Sequence, residues 1–123
     1  MGLINLEPTL HAGEQVRWRR PAALSLEQRL ITGTLYLTSE AVLFMPNRLN
    51  RRRDMVSTRL PFGSLKAVDT VAAQLALAAK RAGAGRRRLR VSTSSGAHLF
   101  VINHPEQVAG ELRAALREWI EPA

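Results

Sequence analysis

Apolar and polar residues alternate along most of this chain with a period of two. Glu14 to Arg20 sets Val16 and Trp18 against Gln15, Arg17 and Arg19, the pattern of a half-buried strand, and Pro21 is expected to end it. Leu30 to Thr38 puts Ile31, Gly33, Leu35 and Leu37 on one face, and its β-branched and aromatic residues favour strand over helix. Ser39-Glu40 turns into a third strand, Ala41 to Met45, which Pro46-Asn47 stops. Beyond a polar, arginine-rich stretch from Asn47 to Asp54, Met55 to Leu60 alternates again, with Val56, Thr58 and Leu60 on one side. Pro61-Phe62-Gly63-Ser64 breaks that strand, and Leu65 to Thr70 predicts a fifth. Arg86 to Thr93 aims Leu89, Val91 and Thr93 inward and Arg86, Arg88 and Arg90 outward. Ser94-Ser95-Gly96 then predicts a hairpin turn into a last strand, Ala97 to Ile102, with His98 on its outer face.

Two stretches depart from this period. Leu65, Val68, Ala72, Leu75 and Ala79 share a helical spacing rich in alanine, so residues 71–85 read as a connector holding one or two helical turns, ended by Gly83-Ala84-Gly85. Near the C-terminus, Asn103 predicts a helix N-cap, Glu106 completes a capping box and Pro105 sits in the first turn. Val108, Leu112, Leu116 and Trp119-Ile120 then form one apolar stripe, with Arg113 and Arg117 towards the end that the helix dipole makes negative. Seven short strands and one amphipathic helix predict a mainly β domain: about seven antiparallel strands in a barrel of two orthogonal sheets, closed by the helix over Leu35, Phe44, Val91 and Val101 or their neighbours. One domain over 1–123, with its core at 10–120, is expected.

Composition narrows the chemistry. With 46% apolar residues in 123, a real core is affordable, and the absence of cysteine excludes disulfides, thiolate zinc sites and cysteine nucleophiles. The start, Met1 to Leu6, lacks the basic-then-apolar layout of a secretory signal, and Leu6 stands where a myristoylation start wants Ser or Thr. The longest apolar run, Ala67 to Ala79, carries Asp69 and is too short to span a bilayer. A cytoplasmic protein is expected, peripheral at the inner membrane surface if it meets a membrane at all. The net charge of +8 points to anionic partners, yet Lys66 and Lys80 are the only lysines, and an arginine bias of this kind also follows from GC-rich codons.

The order of these elements resembles the pleckstrin-homology superfold, and the local text looks like its GRAM branch and the related bacterial domains. Leu10 to Val16, Gly33 to Thr38 with Val42-Leu43-Phe44, Leu60 to Leu65 leading to Val68, Gly96 to Val101 and the helix carrying Trp119 hold the resemblance. It implies a binding module for phosphoinositides, other membrane lipids, peptides or proteins, sometimes homo-oligomeric. Phosphoinositide-binding members place a basic pair, spaced by one residue, early in the second strand. Here Arg29 stands alone, a departure that counts against specific inositol-phosphate recognition.

In an up-and-down sheet the first and third connections share an end. Arg19, Arg20 and Arg29 are therefore expected to converge with Arg48, Arg51, Arg52 and Arg53 on one anion-binding mouth, against the alternative of solvated loops. Arg86, Arg88 and Arg90 form a secondary basic patch. A protein partner or an anionic lipid surface is the expected ligand. Nucleic acid is disfavoured, because neither arginine cluster contains an aromatic platform on which bases stack. His11, His98 and His104 are scattered without metal-ligand spacing, and no nucleophile motif or carboxylate pair is present, so no metal, cofactor or catalysis is expected. An uncovered sheet edge suggests a homo-oligomer, and the apolar 71–79 segment is expected to pack either on its own barrel or on a second subunit.

Overall fold

The computed structural model describes residues 8–26, 29–47, 57–72 and 87–121. Within them run β1 (Val16–Ser25), β2 (Leu30–Thr38), β3 (Ala41–Pro46), β4 (Thr58–Pro61), β5 (Leu65–Val71), β6 (Arg88–Thr93) and β7 (Gly96–Ile102), followed by the helix α1 (Pro105–Ile120). The strands hydrogen-bond as one antiparallel sheet in the order β4-β3-β2-β1-β7-β6-β5. That sheet is not closed, since β4 and β5 stand at its opposite ends. A 3-10 turn, Phe62–Ser64, is nevertheless enough to carry the chain from one end strand to the other. Three residues span at most about 10 Å, so the sheet must curl until its edges face each other. The closure expected of a barrel is completed by this turn and by α1, not by a hydrogen-bonded seam.

The core lies on the concave face, where Leu35, Val42, Phe44, Leu89, Val91 and Phe100 are buried against Val108, Ala109, Leu112 and Ala115 of α1. The Phe44 and Phe100 rings meet at 5.6 Å with a 48° tilt. Gly33 is required where β2 crosses β3. A Cβ there would lie 2.3 Å from the Met45 carbonyl oxygen and 2.9 Å from the Pro46 Cα, closer than backbone can yield without moving.

Several expectations need correction. Pro21 does not end β1, which continues to Ser25 with Pro21 opposite Thr34. Pairing with β7 begins only at Ala22, so at Pro21 the strand has a free side and the missing N–H breaks no ladder there. Val101 faces away from the core: Phe100 and Ile102 point inward instead, in the alternation set by Ala22↔Ile102 and Leu24↔Phe100. His98 pairs with Val91 and so shares the inner face, where its Nδ1 is buried. The N-cap is one residue later than expected, at His104 instead of Asn103. His104 is the N-cap in a left-handed conformation (φ 54°) with no side-chain cap bond, and Glu106 pairs with Arg87 instead. The buried stripe is also rotated. Val108, Ala109, Leu112 and Ala115 carry it, while Trp119 is 48% exposed and Ile120 61%. Of the expected fourth strand, Met55 and Val56 lie outside the described residues, as does most of the 71–85 connector.

Candidate functional site

Because β1 runs five residues past Arg20, the structure does not bring Arg19 and Arg20 to the β1–β2 turn. Arg19 pairs with Tyr36 and Arg20 with Leu35 in the middle of the sheet, about 17 Å of extended chain from Ser25. On the inner face, the Arg20 guanidinium lies 4.4 Å over the Trp18 ring and 2.9 Å from Glu111 of α1. It ties the helix to β1 instead of lining a mouth. Arg29 does sit at the turn, where its carbonyl accepts from the Leu26 N–H at 2.9 Å. The chain leaves β3 at the same end, because the Asn47 N–H donates to the Thr32 carbonyl at 2.9 Å and its side-chain amide reaches the Thr32 hydroxyl at 3.2 Å. Arg48, Arg51, Arg52 and Arg53 follow immediately and lie outside the described residues, as does Arg86 of the secondary patch.

The rest of that patch faces outward as expected, but its members are engaged. Arg90 grips Asp69 with two bonds, Nε to Oδ1 at 2.9 Å and Nη2 to Oδ2 at 2.6 Å. The Arg90 bonds hold the Asp69 carboxyl below its usual range, and the same contact raises Arg90. Arg88 is buried and donates from Nε to the Ser25 hydroxyl at 3.1 Å.

One polar centre has no trace in the strand pattern. The Glu14 side chain, wholly buried, accepts from the Thr38 hydroxyl, from the His11 backbone N–H at 2.8 Å, and from Arg59 Nη2 at 3.1 Å to each of its oxygens. Burial pushes the Glu14 carboxyl up, but the bonds from Thr38, His11 and Arg59 outweigh it and the net shift is downward. Glu40 stands 3.7 Å from the same Arg59 nitrogen and 3.2 Å from His11 Nδ1. Oxygen and nitrogen ligand atoms of His11, Glu14 and Glu40 fall within 4.8 Å of one another, as a metal would ask. The Arg59 guanidinium already supplies the positive charge there, so the cluster works as a clamp between the segment before β1, the β2–β3 turn and β4. Glu14 is 24 residues from Thr38 and 45 from Arg59, and only the strand register reveals the contact.

The helix end offers a second surface that the periodicity misplaced. Trp119 meets Phe62 edge-on at 6.0 Å and lies over Gly63, whose added Cβ would be 3.5 Å from the indole. Arg17 reaches Glu118 at 3.3 Å beside it. Arg17 and Ser25 are eight residues apart on one strand, so this surface and the β1–β2 turn are separated by roughly 27 Å of extended chain.

No family model and no curated protein matches this sequence. Solved structures do match its shape. The Vps36 N-terminal PH domain superposes with a TM-score of 0.63 at 19% identity, covering 93% of this chain and 87% of that one. The C-terminal domain of an unknown protein from Leishmania infantum gives 0.55 at 15% identity, covering 89% and 88%. At such identities the likeness establishes the fold: seven antiparallel strands and a C-terminal helix arranged as in pleckstrin-homology domains.

Proposed function

We infer that this pleckstrin-homology-like chain is a non-catalytic binding module, one that docks onto an anionic surface through the end of the sheet carrying Arg29 and the Arg48–Arg53 segment. The distribution of charge is the observation that carries this reading. Among the described residues Glu14, Glu40, Asp69, Glu106, Glu111 and Glu118 each have an arginine within ion-pair distance, so the folded body uses much of its basic charge internally. By contrast, residues 48–56 hold four arginines against Asp54 alone, a net +3 on nine residues, and in sequence they follow Asn47, which is hydrogen-bonded to Thr32 at the sheet end where Arg29 lies. Guanidiniums concentrated on one connection suit multidentate contact with phosphate or carboxylate. The polar clusters elsewhere are arginine–carboxylate pairs that join strands and helix, which suits a scaffold more than a reaction centre.

An anionic lipid surface is the partner favoured here. Basic residues near such a surface contribute about 1 kcal/mol each, so Arg51, Arg52 and Arg53 together are worth about 3 kcal/mol, or roughly 100-fold in affinity. No helix among the described residues is long and apolar enough to cross a membrane. Co-sedimentation with phosphatidylserine vesicles at low salt should recover the protein in the pellet, whereas neutral vesicles should not. Arg51→Glu/Arg52→Glu/Arg53→Glu should abolish that recovery without changing the fold. Absence of binding at low salt, where attraction is strongest, would overturn the reading. Capture by an acidic protein but not by vesicles would move the partner from lipid to protein.

A further inference from the structure

The two most exposed large apolar side chains among the described residues, Trp119 at 48% and Ile120 at 61%, are consecutive in the last turn of α1. The indole is not loose. It meets Phe62 edge-on at 6.0 Å, and Phe62 is buried, with its N–H donating to the Glu40 carbonyl at 2.9 Å. Trp119 is thus fixed to the sheet on one side while its other half stays in water. An oriented indole beside an aliphatic side chain is the kind of anchor on which protein interfaces concentrate their energy.

Charge selects what this anchor meets. Arg17 and Arg117 lie around it with Glu118 and Glu121, two of each sign, in a chain whose net charge is +8. An anionic lipid surface would meet two carboxylates there and gain no net attraction. A second copy of this chain meets no such obstacle. The turn that carries Arg29 follows Ser25, roughly 27 Å of extended strand from Arg17, or about three Debye lengths at physiological salt. The positive charge at that turn is therefore screened from a copy docked at the helix end. The surface also complements itself. Arg17 Nη1 lies 3.3 Å from Glu118 Oε1 within one chain, with 42% and 66% of the two side chains exposed, so both can turn to a neighbour. About a two-fold axis, Arg17 of each copy meets Glu118 of the other, and the indoles and Ile120 side chains pack between them. We propose that the Trp119–Ile120 end of α1 is a self-association surface that joins two copies of this chain, separate from the end of the sheet carrying Arg29.

Sedimentation velocity from low to several hundred micromolar protein tests this. The wild-type chain should pass from monomer to dimer. Ile120→Glu places a charge at the centre of the contact and should weaken association about 30-fold per copy, or about 1000-fold for the pair, while dilute protein melts like the parent. Charge reversal tests the pairing. Arg17→Glu and Glu118→Arg should each leave their own chain monomeric, and an equimolar mixture should restore the dimer, because only the unlike copies then match. Arg51→Glu/Arg52→Glu/Arg53→Glu should still associate, so failure of this surface and failure of vesicle docking are told apart. A wild-type chain that stays monomeric at several hundred micromolar overturns the proposal. So does a mixture no more associated than its two components. A Trp119 indole resonance that responds to phosphatidylserine vesicles and not to protein concentration also overturns it, and would assign the patch to lipid.

Discussion

Replacing Leu112 with alanine should unfold this domain far more readily than replacing Trp119, although the indole is the larger side chain. Leu112 is 1% exposed and sits in the middle of the buried helix stripe with Val108, Ala109 and Ala115. Core Leu→Ala changes cost 2–5 kcal/mol, and a site closed on one side by a curled sheet has little room to collapse, so about 3.5 kcal/mol is expected. Trp119 keeps 48% of its surface in water. Half of the usual cost of a buried Trp→Ala change, with the edge-on contact to Phe62 included, comes to about 2 kcal/mol. At about 4 °C per kcal/mol for a domain of this size, the melting temperature should fall by about 14 °C in Leu112→Ala and about 8 °C in Trp119→Ala. Thermal unfolding followed by circular dichroism, backed by urea titrations with an unchanged slope, measures both. A Trp119→Ala loss equal to or larger than that of Leu112→Ala would refute the reasoning, because the indole would then be the plug of the core.

Glycine substitutions should split in sign. Gly33→Ala drives a Cβ into the Met45 carbonyl and should cost about 3 kcal/mol by chemical denaturation, whereas Gly110→Ala, with open space around it in α1, should add about 1 kcal/mol. The lowered pKa of Glu14 means that the unfolded chain binds its proton first as the pH falls. The clamp's contribution is therefore whole above the unfolded carboxyl value near 4.5 and fades as the pH drops through the lower folded value. Glu14→Gln should lower the neutral-pH melting temperature and flatten the acid limb of the stability curve; a variant that keeps the parent's acid limb counts against the clamp.

How much of this was legible beforehand depends on the distance over which the signal acts. The strands β2, β3, β6 and β7 were readable because alternation is local and one face is buried, and the hairpin at Ser94-Ser95 shows in composition. Pro21 misled because a proline stops a strand only where its N–H is needed, and that depends on where β7 begins. Trp119 misled because helical spacing fixes a stripe only to within a small rotation: 108-112-116-119 and the observed 108-109-112-115 differ by that much about the helix axis, which only the sheet beneath α1 decides. With Pro21 expected to end β1, Arg19 and Arg20 fall at the strand's end in the sequence pattern, whereas the longer strand puts them in mid-sheet. The Glu14–Thr38–Arg59 clamp and the crossing of Arg88 to Ser25 depend on contacts 24, 45 and 63 residues apart, and no local pattern announces them.

The central claim is that one end of the sheet docks on an anionic surface, and a binding footprint tests it most directly. Labelled protein would be titrated with phosphatidylserine nanodiscs at low salt while backbone amides and the Trp119 indole N–H are observed together. The account predicts attenuation at Leu26, Arg29, Leu30, Thr32 and Asn47, with the Trp119 indole and Glu118, roughly 27 Å of strand away, left sharp. Attenuation centred on Trp119 and Ile120, with the β1–β2 turn unaffected, would contradict it and assign the docking surface to the helix end.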